Sequence, residues 1–186
     1  MPIRCFIAVE IQDDTVISKI REIQNFLAST DADVKLVEPE NIHLTLKFLG
    51  DVDESRLEYV KNIVKDENVE PFVMNLHGIG VFPNLRRPRI IWVGISNGVE
   101  SLAGIFLKLE SILFKQGFPK ENRVFNPHIT IGRVRSNRNL NLFGKTISEY
   151  ANTPFGEIVV NSIILKKSVL SSRGPIYSNL AVSSKI

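Results

Sequence analysis

Hydrophobic positions along the chain recur with two different spacings, and each change of spacing marks an element. The first run, Arg4-Cys5-Phe6-Ile7-Ala8-Val9-Glu10, is short and apolar between polar ends, as a strand is. The spacing then lengthens. Val16, Ile17, Ile20, Ile23 and Leu27 recur at intervals that build one helical face, with Asp13 or Asp14 as its cap. Residues 34–37 read as a short strand and 41–49 as a longer one ending at Gly50. Asp51 and Asp53 then sit in a turn that opens a second helix carrying Leu57, Val60, Ile63 and Val64. Two strands, 72–82 and 89–95, flank the breaker-rich Pro83-Asn84-Leu85-Arg86-Arg87-Pro88.

The second half repeats this grammar. Asn97 or Ser101 precedes a helix bearing Leu102, Ile105, Phe106, Leu109 and Leu113. A polar turn over 117–122, a strand at 128–134, a weak helix at 140–150 and strands at 156–169 and 175–182 complete the pattern. No linker or low-complexity stretch divides the 186 residues, so they read as a single domain, 1–186. The elements mix without the regular βαβ alternation of a doubly wound sheet, which predicts an α+β fold with antiparallel sheets flanked by helices.

A chain that is 44% hydrophobic and 23% charged buries a sizeable core and is not disordered. Its apolar runs fall short of the ~20 residues a membrane span needs. The start, Met1-Pro2-Ile3-Arg4-Cys5, shows no secretory pattern, and one cysteine makes no disulfide framework. The expected location is the cytoplasm. The net charge of +3 hides an imbalance. Residues 1–93 hold 11 Lys/Arg against 15 Asp/Glu, and residues 94–186 hold 12 against 5. Such a basic half fits a polyanion partner as well as a solvated face.

The chemistry lies in a repeat. Of three histidines, two open the same tetrapeptide, His43-Leu44-Thr45-Leu46 and His128-Ile129-Thr130-Ile131. With six threonines in the chain, composition alone yields two such hits in roughly 0.3% of cases. In a strand, residues two apart share a face, so each motif presents an imidazole beside a hydroxyl while its apolar pair anchors the other face. A pseudo-twofold arrangement of the halves would face the two platforms across a cleft. One imidazole could then accept a proton while the other gives one, and the threonines could donate to anionic oxygens. A metal site would need further ligands, and no Asp, Glu or Cys stands at ligand spacing beside either motif.

These residues resemble the 2H phosphoesterase superfamily, and within it the RNA 2′,3′-cyclic phosphodiesterase family, also called 2′-5′ RNA ligase. The likeness runs through Arg4-Cys5-Phe6-Ile7-Ala8-Val9, His43-Leu44-Thr45-Leu46-Lys47-Phe48-Leu49-Gly50, Gly80-Val81-Phe82-Pro83, Ile91-Trp92-Val93-Gly94, Asn126-Pro127-His128-Ile129-Thr130-Ile131-Gly132-Arg133 and Ser171-Ser172-Arg173-Gly174-Pro175-Ile176-Tyr177. It implies two pseudo-symmetric lobes around a central cleft, one motif from each pseudo-repeat, and no metal or cofactor. The implied activity is hydrolysis of RNA 2′,3′-cyclic phosphate ends to 2′-phosphomonoesters; the expected partner is RNA with such an end, tRNA-derived RNA included, and the expected state a monomer. His43 falls on the proton donor to the leaving 3′ oxygen, His128 on the proton acceptor that activates water, and Thr45 and Thr130 on the phosphoryl contacts. The alternatives are 2′-5′ joining of tRNA-half-like ends and a non-catalytic RNA- or nucleotide-binding module.

The family's arginine, five residues past the second histidine, matches Arg133; Phe48 stands at that offset in the first motif. Five is odd, so a regular strand would turn Arg133 away from His128. A bulge at Gly132–Arg133 would turn it back. Lys47, at an even offset, is expected on the face of His43 as a secondary phosphate contact. Phe6, Phe48 and Trp92 are expected in the core, and His77 as a structural or surface residue. Arg86, Arg87 and Arg89 are candidate backbone contacts, and Tyr177 a candidate for the cleft border. The RNA strand is expected on the side of the basic half, with Arg133.

Overall fold

A computed structural model describes residues 1–172 and 174–184. Arg173, part of the tail resemblance, lies outside the described residues. The strands are β1 (Ile3–Glu10), β2 (Val34–Leu36), β3 (His43–Val52), β4 (Phe72–Phe82), β5 (Ile90–Asn97), β6 (Ile129–Val134), β7 (Pro154–Val160), β8 (Ile164–Ser171) and β9 (Gly174–Val182). The helices are α1 (Asp14–Ser29), α2 (Glu54–Lys65), α3 (Val99–Lys115) and α4 (Leu140–Glu149). The order β7-β4-β5-β6-β3-β1-β8-β9 forms one antiparallel sheet, with β2 on the edge of β6. Its midline is the junction of β6 and β3, a single pair of residues, Leu44 opposite Ile129. Four strands lie on the β3 side and five, counting β2, on the β6 side, so the two motif strands meet at the seam of two lobes.

Local chemistry explains most of the elements. The Asp13 carboxylate accepts from the Val16 amide at 2.9 Å, capping α1, whose Val16, Ile20, Ile23 and Leu27 are buried. Burying each such side chain is worth roughly 1.5–3 kcal/mol. α3 starts differently from the sequence expectation. Its cap is Gly98 at φ 87°, where a Cβ would fall 2.9 Å from the Val73 carbonyl oxygen. Asn97 instead donates to Asn75 Oδ1 at 3.3 Å.

Two further expectations are corrected. The strand ending at Gly50 runs on to Val52, with Asp51 opposite Arg4, and Asp53 caps α2 without a side-chain hydrogen bond. The single strand expected over 156–169 is two strands in opposite lobes. β7 pairs with β4, and after a break at 161–163 β8 pairs with β1. The Ser183 hydroxyl and carbonyl-paired amide fasten that crossing to Ile163 at 3.0 and 2.9 Å.

The lobes therefore do not follow the halves of the chain. α1 and α4 pack with the strands around β6, whereas α2 and α3 pack against β8, β9 and β3. Lys166 and Lys167 from the basic half sit in the lobe of the first motif. Arg86, Arg87 and Arg89 from the acidic half sit by the second. Residues of the basic and acidic halves are thus interleaved between the two lobes.

Candidate active site

Because Leu44 faces Ile129 in antiparallel register, His43 stands beside Thr130 and Thr45 beside His128. Leu44, Leu46, Ile129 and Ile131 are buried beneath them. Both imidazoles are held the same way. His43 Nδ1 lies 2.7 Å from the Asn41 carbonyl oxygen, and His128 Nδ1 lies 2.8 Å from that of Asn126. A carbonyl only accepts, so each Nδ1 carries the hydrogen and each neutral ring keeps its lone pair on Nε2. Neither threonine hydroxyl has a hydrogen-bond partner among the described residues. Two basic nitrogens and two unspent hydroxyls thus share the seam.

Each motif strand carries a bulge three residues after its histidine. Ile7 pairs with Lys47 and Ala8 with Thr45, leaving Leu46 extra; Ile91 pairs with Gly132 and Trp92 with Thr130, leaving Ile131 extra. The second irregularity falls one residue before the predicted Gly132–Arg133 and has the same effect, turning Arg133 onto the face of Thr130. Gly132 fits there because a Cβ would come within 3.1 Å of Ile91 Cδ1 and 3.3 Å of Val34 Cγ1. The first bulge corrects the expectation for Lys47. Its even offset is undone, and the side chain turns into the interior, where it pairs with Glu110 and donates to the Pro119 carbonyl at 2.8 Å. Phe48 takes the outward place, 65% exposed rather than in the core.

The two ends of the site differ. Tyr177 meets His43 edge-on at 5.3 Å, and buried Phe6 lies 4.9 Å from the same ring. Phe82 meets His128 edge-on at 5.0 Å and packs on Trp92 at 5.2 Å. Across from His43, Glu10 pairs with buried Lys166, which also donates to Asn179 Oδ1 at 2.8 Å. Burial holds the His43 imidazole below its usual range. Lys166 and Arg133 push it down further, against the Asn41 bond and Glu10. The Tyr177 phenol is held above its usual range by burial, opposed by Arg133 and Arg4. Arg133 forms no ion pair among the described residues.

The LigT-like phosphoesterase family model matches the chain twice, over residues 9–92 and 93–177, and each span holds one His-x-Thr motif. The chain belongs to the LigT-like phosphoesterase family. A protein of Methanothermobacter thermautotrophicus named RNA 2′,3′-cyclic phosphodiesterase is 41% identical over 98% of each chain. One of the same name from Aeropyrum pernix is 36% identical over 89% of this chain and 94% of its own. Among solved structures, TT0787 of Thermus thermophilus is 28% identical with a TM-score of 0.72, covering 96% of each chain. E. coli LigT in apo form superposes with a TM-score of 0.77 over 99% of each chain at 22% identity, a likeness of fold.

Against this LigT-like fold, sequence reasoning placed both histidines, both threonines and Arg133 on one face and misplaced Lys47. It missed the contacts of Phe82 with His128, the Glu10–Lys166 pair and the carbonyls behind the rings. The one trace of the last is the Asn two places before each histidine, Asn41 and Asn126. His77 is exposed on β4, away from the motifs in sheet order. Among the described residues no three His, Cys, Asp or Glu side chains group as metal ligands, and no helix is long and apolar enough to cross a membrane.

Proposed function

We propose that this chain hydrolyses RNA 2′,3′-cyclic phosphodiester ends to 2′-phosphomonoesters, using its own side chains as acid, base and cation. The observation that carries this is the pair of imidazoles, each with Nδ1–H tied to a carbonyl and Nε2 left for chemistry, meeting at Leu44–Ile129. Relatives at 36% and 41% identity are named RNA 2′,3′-cyclic phosphodiesterase. His128 Nε2 takes a proton from water as its oxygen bonds to phosphorus. The P–O3′ bond breaks, and the proton on His43 Nε2 goes to the leaving 3′ oxygen. Thr45 and Thr130 donate to the phosphoryl oxygens, and Arg133 offsets charge that develops on them.

Burial favours the neutral form of His43 in the free protein, so the donor role draws on the substrate. An anionic phosphodiester beside the ring favours its protonated form and opposes Arg133 and Lys166. Both motifs come from one chain, so a single copy completes the site, and we place it in the cytoplasm as a monomer. The test is an oligoribonucleotide with a 2′,3′-cyclic phosphate end, incubated in EDTA with wild type, His43→Ala and His128→Ala. Turnover by wild type alone is the expected result. Full turnover by either variant overturns the two-histidine mechanism.

A further inference from the structure

Residues 116–128 join α3 to β6 without regular structure, yet they end on the carbonyl that orients His128. Several contacts hold this segment, among them Arg56 donating to the Gln116 carbonyl at 2.7 Å and lying over the Phe118 ring, Lys120 over the Phe114 ring, and the three that follow. Lys47 Nζ donates to the Pro119 carbonyl at 2.8 Å, the Glu110 carboxylate accepts from the Glu121 amide at 2.9 Å, and Phe125 stacks on Phe106 at 4.4 Å with the rings 7° apart. The Pro119 and Glu121 contacts both come from one ion pair, Lys47 on β3 and Glu110 on α3. The strand of the first histidine thus grips the approach to the second. His43 has a different support, since Asn41 ends a short helical turn over Pro39–Asn41 and its side chain donates to the Pro175 carbonyl at 3.4 Å.

The pair is costly as a stabilising device. Its side chains are 5% and 9% exposed, and taking both charges out of water consumes most of what their attraction returns. Apolar residues of similar volume would pack there as well or better. They could not hold Pro119 and Glu121. The second motif has no such pair: the position matching Lys47 is Gly132.

We propose that Lys47 and Glu110 are positioning residues for His128, fixing the segment that presents the Asn126 carbonyl to Nδ1 and so keeping Nε2 unprotonated toward the substrate. This rests on the hydrolase reading for its consequence and on geometry alone for its mechanism.

The variant is Lys47→Met/Glu110→Leu, which replaces the pair by apolar side chains. Glu121→Pro removes the loop amide that Glu110 accepts from while leaving the ion pair in place, and serves if the double variant fails to fold. Nitrogen-15 NMR of the histidine side chains reports each tautomer without requiring activity. In wild type both rings carry the hydrogen on Nδ1. In either variant His128 is expected to become a mixture of tautomers while His43 stays unchanged. On the cyclic-phosphate oligonucleotide, kcat falls about tenfold with KM within about twofold, the mark of a misplaced reacting group. An unchanged His128 spectrum in folded variants overturns the proposal, as does an equal change at His43. A wild type that turns over nothing defeats the hydrolase reading and leaves the tautomer result to decide this one.

Discussion

Arg133 gives the sharpest test because it acts on two observables at once. It stands on the substrate face only through the bulge at Ile131, and its charge lowers the proton affinity of His43. Arg133→Gln removes the charge; Arg133→Lys keeps it but loses the planar fork. A charge-assisted hydrogen bond is worth about 1.5–3 kcal/mol, so the Gln variant should lose roughly ten- to 150-fold in kcat/KM, with Lys in between. The second effect has the opposite sense. Without Arg133, the His43 imidazole binds its proton more tightly in the free protein. With His43 as one of the two proton-transfer groups, the limb of the kcat/KM profile that it sets moves to higher pH while the other stays. The assay is initial-rate hydrolysis of a cyclic-phosphate oligonucleotide across the pH range. A loss under threefold, with both limbs fixed, would remove Arg133 from the mechanism.

Three other outcomes follow from burial. His43 binds protons less readily folded than unfolded, so stability is present above the ordinary imidazole value and is lost as pH falls through it. Thermal melts between pH 7.5 and 5 should fall more steeply for wild type than for His43→Gln, and parallel curves would contradict this. The Cys5 thiol is pushed up to about 11 by burial, with Asp51 adding to it. A disulfide reagent at pH 8 should label it only after denaturation; prompt labelling of the native protein refutes that burial. Phe48→Ala, at an exposed site, should change urea-melt stability by no more than about 0.5 kcal/mol, whereas Phe6→Ala, at 2% exposure, should cost about 3–5 kcal/mol. Equal losses would mean that Phe48 is packed after all.

The parts of the site legible in the sequence were those set by period and by repetition. His43 and Thr45, like His128 and Thr130, sit two apart before either bulge, so strand parity placed them without error. Lys47 failed because parity holds only in an unbroken ladder; Leu46 adds a residue that local sequence does not announce. Arg133 succeeded because its odd offset forced an irregularity into the reasoning, although the bulge chose Ile131 over Gly132. Tyr177 and Phe82 reach their histidines from strands two or more places away in the sheet, contacts that no spacing along the chain encodes. The break at 161–163 was hidden for a related reason. Both flanking segments are apolar strands, and only their partners, β4 and β1, reveal that they part.

The crossing of the chain between lobes also bears on how the protein can come apart. A piece ending at residue 93 would hold β1 and β3 without β8 and β9, and β4 with half of β5 but neither β6 nor β7. Its edges would be open to pairing with other chains, and the remaining piece would face the same exposure. Neither fragment should fold alone, yet mixed together they hold complementary strands for both lobes, the situation in which fragment complementation works. Unfolding should then be one cooperative event, and any mutation that loosens one lobe draws both histidines into the loss.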